Sequence, residues 1–157
     1  MKHTLSILVE NKFGVLARVA GLFSARGYNI DSLTVSETHD PTISRMTVVV
    51  NAEDEQILEQ IEKQLHKLID VITVIDFRKN EYIERELVFI KIALDDHCAE
   101  KVRKTTLEIG AHILEEAKEH IILELVEEQE HVKKSLKQLE CYNILELVRS
   151  GRIAIAK

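Results

Sequence analysis

Almost nothing in this sequence interrupts regular structure: one proline and five glycines in 157 residues leave most of the chain to helices and strands joined by short turns. Each glycine therefore marks a place to inspect. The only two cysteines, Cys98 and Cys141, lie far apart and outside any C-x-x-C spacing, which suggests neither a zinc site nor a redox motif. They read as small buried or half-buried thiols. No run approaches the ~20 apolar residues of a membrane span. The start, Met1 to Ser6, is too short and too mixed for a secretion signal, so a cytoplasmic protein with no membrane partner is expected. An excess of positive charge is also missing. The formal net charge is −6, with Lys and Arg scattered among acidic residues, which argues against nucleic acid as a partner.

Catalytic constellations are absent too. The seven histidines, His3, His39, His66, His97, His112, His120 and His131, form no H-x-x-x-H pair with a neighbouring acid and no zinc spacing. His97-Cys98-Ala99-Glu100 misses the H-x-E motif of zinc deaminases by one residue, and no P-C-x-x-C follows. Ser24, Ser44 and Ser150 lack a G-x-S-x-G setting. Glu127, Glu128 and Glu130 read as a solvated helix start, favourable at the positive end of the dipole. The expectation is no catalytic residue, no metal ligand, no cofactor held by this chain, and hence no enzyme.

What is present is one pattern, read twice. Leu5, Ile7 and Val9 alternate as a first strand, and Val15, Leu16, Val19, Leu22 and Phe23 follow at helical spacing between Gly14 and Gly27. Ile30–Glu37 and Met46–Val50 give two more strands around an Asp40-Pro41 turn. Asn51 is the expected cap of a helix striped by Ile57, Leu58, Ile61, Leu65 and Leu68, and Val71–Phe77 is a fourth strand. Residues 78–86 are nearly all polar. Beyond them the order recurs: strand Leu87–Leu94, a helix capped by Asp95 or Asp96 and stopped by Gly110, a hairpin of His112–Leu114 and Ile121–Val126, a helix Glu127–Gln138, and a strand Ile144–Arg149. The tail Ser150–Lys157, with Ile153 and Ile155 alternating, is expected to add an edge strand. The predicted fold class is α+β, two consecutive ferredoxin-like βαββαβ domains over 1–78 and 87–157 with a connector at 79–86. Units of ~75 residues bury little surface alone, so domain pairing or oligomerisation is expected.

The most informative segment is Glu10-Asn11-Lys12-Phe13-Gly14-Val15-Leu16, where the first strand hands over to the first helix. A glycine there permits a tight turn and close approach of a ligand to the main chain. The free N–H groups of the helix start, around Gly14 to Leu16, suit a carboxylate, and the Asn11 amide offers donors and an acceptor to a free amino acid. On this segment alone a plain strand-to-helix turn with an Asx cap explains the residues as well. A second amide, Asn29 beside Ile30, stands at the start of the second strand. In a dimer that position of one chain can face the glycine turn of the other.

At these residues the sequence resembles a known family. Glu10-Asn11-x-x-Gly14-x-Leu16-x-Arg18-Val19 followed by Arg26-Gly27-Tyr28-Asn29-Ile30-x-Ser32-Leu33-Thr34-Val35 is similar to the ACT domain of acetohydroxyacid synthase regulatory subunits. Asp40-Pro41-Thr42-x-Ser44-Arg45-Met46-Thr47 and Glu59-Gln60-Ile61-x-Lys63-Gln64-Leu65-x-Lys67-Leu68 extend the match over nearly all of the first domain. Arg85-Glu86-Leu87, Lys91-Ile92 and Val148-Arg149-Ser150-Gly151-Arg152 resemble the family's second domain, an ACT-like one. The resemblance implies a homodimer through the ACT domains that activates a catalytic partner and confers feedback inhibition by valine in branched-chain amino-acid biosynthesis. Thiamine diphosphate would belong to that partner. Asn11, Gly14, Val15 and Leu16 of one chain, with Asn29 and Ile30 of the other, would hold the effector. The hairpin Thr38–Arg45 and the second domain are candidates for the activating surface.

Three other readings stand beside this one. A free-standing ACT sensor acting on another enzyme or regulator does not account for the match at Asp40–Thr47. A catalyst would need a motif that is missing. A purely structural adaptor predicts no amino-acid-dependent rise in melting temperature.

Overall fold

In residues 2–10 the side chains alternate between two sheet faces: Leu5, Ile7 and Val9 are wholly buried on one, and Thr4, Ser6 and Leu8 lie on the other. This is strand β1 (Lys2–Glu10). The computed structural model describes residues 2–51, 55–78, 81–95 and 97–157, with the backbone alone at Glu55. It divides the chain into one unit of residues 1–83 plus 152–157 and another of 84–151.

The first unit continues with α1 (Val15–Ser24), β2 (Ile30–Glu37), β3 (Ile43–Asn51), α2 (Glu55–Leu65) and β4 (Val71–Asp76). Its sheet has the order β2-β3-β1-β4, antiparallel throughout, with Leu5 opposite Val48 and Val35 opposite Met46. Val19 and Phe23 of α1 and Leu58, Ile61 and Leu65 of α2 close over that face and complete the core. The stop after α1 is chemical. Gly27, at φ 71°, lets its own N–H reach the Ser24 carbonyl and the Tyr28 N–H reach that of Phe23, a Schellman ending. Asn51 ends β3, and the cap expected from it lies outside the described residues.

The second unit holds most of β5 (Tyr82–Ala93), then α3 (Ala99–Glu108), β6 (His112–Glu116), β7 (His120–Glu127), α4 (Gln129–Leu139) and the first part of β8 (Ile144–Ala156). The sheet order is β6-β7-β5-β8, the same arrangement as in the first unit. Val88, Ile90, Ile92, Ile121, Leu123 and Leu125 pack beneath Val102 of α3 and Val132 and Leu139 of α4. Helix α3 ends as α1 does: the Gly110 N–H bonds the Leu107 carbonyl and the Ala111 N–H that of Thr106. The Asp95 carboxylate accepts the N–H groups of His97 and Cys98 and so opens α3, while Asp96 lies outside the described residues. Two βαββαβ units with antiparallel sheets are the expected fold class.

Three boundaries differ from the sequence expectation. Strand β5 begins at Tyr82, so the second half of the 79–86 connector is strand. Its charges do not stop the strand because Glu86, 5% exposed, is gripped bidentately by Arg149 at 2.8 and 2.7 Å. Helix α4 starts at Gln129 rather than Glu127, which closes β7. The tail forms no strand of its own; it continues β8, and its phase is opposite to that of its isoleucines. Arg152 and Ala154 are buried at 7% each, whereas Ile153 and Ile155 stand 53% and 61% exposed.

Candidate functional site

The turn from β1 into α1 is shaped by Gly14, which caps the helix at φ 78° and ψ −5°, a left-handed conformation that costs a side-chain-bearing residue energy. A Cβ here would stand 3.1 Å from Nη1 of Arg18, one helical turn on. Helix α1 has no acidic residue in its first turn and no side-chain cap. The positive end of its dipole is therefore unopposed from within the helix, and its first-turn N–H groups lack intrahelical partners. The Val15 N–H makes one long contact, 3.4 Å, to the Lys12 carbonyl.

Asn11 ties this turn to the β2–β3 hairpin. Its backbone N–H donates to the Thr42 carbonyl at 2.7 Å and its Nδ2 to the Pro41 carbonyl at 2.8 Å. One amide donor is thus spent on the fold, and the side chain is fixed with its Oδ1 still able to accept. The hairpin is itself organised by Asp40, whose Oδ1 accepts the Thr42 hydroxyl at 2.6 Å and the Thr42 N–H at 2.9 Å. Those bonds, the hydroxyl first, hold the Asp40 carboxyl below its ordinary range. Asn11, Lys12 and Phe13 line an open depression of about 390 Å³, and Phe13 is fully exposed beside it.

The six residues expected at the site are differently disposed. Leu16 is 44% exposed next to the glycine turn. Val15 is 2% exposed and belongs to the core, so its backbone faces the turn and its side chain does not. Asn29 and Ile30 lie at the start of β2, an edge of the sheet. The Asn29 Nδ2 donates to Asp31 at 3.0 Å, Asp31 pairs with Lys2 at 3.1 Å, and Ile30 packs half-buried on the core. Among the described residues no hydrogen bond joins this pair to the glycine turn of the same chain.

Arg18 escaped the sequence reading as a site residue. Its guanidinium lies along Gly14 and is anchored by Asp70, with Nε at 2.8 Å and Nη2 at 2.7 Å from Oδ2. Half-exposed, it turns Nη1 toward the glycine turn as an N–H donor, while Asp70 offsets its charge. The sequence signal was the i, i+4 spacing from Gly14, which stacks the two positions on one helix face. Among the described residues no group of three or more His, Cys, Asp or Glu side chains is placed to hold a metal.

Comparison with known proteins agrees with this architecture. Residues 5–73 match the AHAS small subunit-like ACT domain, and residues 85–157 match the family described as small subunit of acetolactate synthase. The chain is 40% identical over 158 residues to the acetolactate synthase isozyme 3 small subunit of Salmonella typhimurium, covering 100% of this chain and 96% of that one. It is 40% identical over 157 residues to a probable acetolactate synthase small subunit of Archaeoglobus fulgidus, with coverage of 100% and 98%. Among solved structures, the acetolactate synthase small subunit of Thermotoga maritima superposes with a TM-score of 0.90 at 32% identity, covering 100% of this chain and 98% of that one. On these matches, spanning both units, the chain belongs to the acetolactate synthase small-subunit family, with an ACT regulatory domain at its N-terminus.

Proposed function

We propose that this chain is a non-catalytic regulatory subunit. In this reading it raises the activity of a thiamine-diphosphate-dependent acetolactate synthase catalytic subunit in the cytoplasm and makes that activity sensitive to valine. The observation that carries it is the glycine turn: a left-handed Gly14, an uncapped helix start and the Arg18 guanidinium converge on one exposed point. An amino-acid carboxylate is complementary to that point. Leu16 offers apolar contact to the effector side chain, and Asn11 offers its carbonyl to the ammonium. Asn29 and Ile30 complete the site from a second copy paired along β2. The cofactor chemistry stays with the catalytic partner; this chain contributes binding energy. Valine acts by favouring one arrangement of the regulatory dimer over another, since only differential affinity shifts an equilibrium.

The experiment mixes this chain with its catalytic partner and follows acetolactate formation with and without valine. Activity rises on mixing and falls on adding valine. Gly14→Asp places a carboxylate where the effector's carboxylate binds, so it removes valine sensitivity and keeps activation. Full valine sensitivity in Gly14→Asp would refute the site, and a rise in activity that valine leaves untouched would refute the effector.

A further inference from the structure

The face of the first sheet turned away from α1 and α2 carries mainly hydroxyls, with the Arg45 guanidinium bonded to Ser6 Oγ at 2.8 Å among them. Across its strands the register places Thr4 opposite Val49 and Val49 opposite Ser32, one row running from β1 through β3 to β2. Thr4 is 4% exposed and Val49 2%, although among the described residues the helices of this unit pack on the opposite side. Against it lies the start of the C-terminal segment 152–157, which belongs to this unit although it is more than a hundred residues away in sequence.

Arg152 spans the row. Its backbone N–H donates to Ser32 Oγ at 3.1 Å and its Nη1 donates to Thr4 Oγ1 at 2.7 Å. Ala154, two residues on, is the next side chain turned to the sheet, and its small size permits close approach. The Lys157 N–H closes the far end on the Glu81 carbonyl at 3.0 Å. A guanidinium withdrawn from water is tolerated only where its donors are satisfied, so Arg152 is committed to this position. The residue before it, Gly151, has φ 81°, and there the chain passes from the second unit to the first.

We propose that residues 152–157 form a strap that fixes strand β2 on its sheet, with Arg152 as the clamp, and that strap docking is thermodynamically linked to effector binding. The link is short: Ser32 is two residues from Ile30 and three from Asn29, at the part of β2 assigned to the effector. The ladder between β2 and β3 is irregular between Ile30 and Ser32, so the start of β2 has less backbone pairing to hold it than the rest. The hydrogen bond from Arg152 supplies a fixed point there. A strap that favours one position of this segment, and an effector that binds against the same segment, must affect each other's affinity equally.

The second half of the proposal rests on the valine reading, and the test separates the two. Amide hydrogen exchange is followed by mass spectrometry in the full chain, in a chain ending at Gly151, and in Ser32→Ala and Arg152→Ala. Exchange at the start of β2 is expected to speed up about ten-fold in each variant while β7 of the second unit is unchanged. Unchanged β2 exchange in the two point variants overturns the strap, whether or not the truncated chain folds. Calorimetry then establishes whether valine binds the full chain. If it does, saturating valine should slow exchange of amides 153–157 and Arg152→Ala should weaken valine binding several-fold. Valine binding with neither response overturns the linkage. No valine binding at all overturns the effector reading and the linkage with it, and leaves the strap to be judged on β2 exchange.

Discussion

At Gly14 a side chain meets two obstacles, a left-handed backbone and the Arg18 guanidinium 3.1 Å from the new Cβ. The first is intrinsic and costs about 1–2 kcal/mol for an L-residue. The second is soft, because the far end of an arginine can move. Gly14→Ala should therefore lose about 1–2 kcal/mol in urea denaturation, and Gly14→Asn less, since asparagine enters that region more readily. A loss below a few tenths of a kcal/mol in Gly14→Ala would mean that the turn relaxes out of the left-handed state. Asp40 makes a pH-dependent prediction nearby. Its folded carboxyl titrates below its ordinary value, chiefly because the Thr42 hydroxyl and then the Thr42 N–H bind the charged form. A depressed carboxyl contributes stability above its unfolded pKa of about 3.9 and loses it as pH falls through the lower folded pKa. Carboxyl-resolved NMR should thus find the Asp40 midpoint below about 3.9. Thr42→Val, which keeps the N–H and removes the hydroxyl, should move it upward. A midpoint unmoved by Thr42→Val would assign the shift to the backbone alone.

Elements were readable where hydrophobic period and glycine stops agreed. Val19 and Phe23, ended by Gly27, specify α1, and Met46, Val48 and Val50 specify β3. Where side-chain chemistry from a distant residue decides, local pattern fails. Glu84, Arg85 and Glu86 look like a solvated connector, yet they are strand because Arg149 arrives 63 residues later to neutralise Glu86. The same holds for the candidate site. Gly14, Asn11 and Leu16 are marked by the turn itself, whereas Arg18 gains its place from Asp70, 52 residues away, and Val15 loses its side chain to the core. The Glu86–Arg149 pair makes its own prediction. Arg149→Ala leaves a buried carboxylate without its bidentate partner, while Glu86→Gln with Arg149→Ala leaves only a neutral amide. Because Arg149 is 41% exposed, water offsets part of the loss, and the single variant should cost about 1–2 kcal/mol rather than the 3–5 of a fully buried pair. The double variant should recover part of it. Equal midpoints for single and double variants in denaturant would show that the unpaired Glu86 charge costs nothing.

On the scale of the whole molecule, the proposed dimer turns on β2, an outer strand of its sheet. Among the described residues β2 pairs with β3 on one side and forms an edge of its sheet, with Val35 38% exposed. Such an edge invites pairing with another chain unless something blocks it. Its charges, Asp31 and Glu37, sit near its two ends and leave the middle, Ser32 to Ser36, uncharged. In the proposed function, pairing of β2 with the β2 of a second copy would bring the Asn29 and Ile30 of each chain toward the glycine turn of the other. In such a pair Val35→Lys would add a positive charge to both sides of the two-fold edge. Sedimentation should show the dimer dissociation constant raised at least ten-fold, the equivalent of about 1.4 kcal/mol. Leu107→Lys, on the exposed surface of α3, should leave it unchanged. The sharper consequence concerns the effector. Val35 is not among the residues assigned to valine, yet its substitution should abolish the valine response, because each site needs both chains. A Val35→Lys chain that remains dimeric and valine-sensitive would mean that the two copies meet through some other surface and that the effector site lies within one chain.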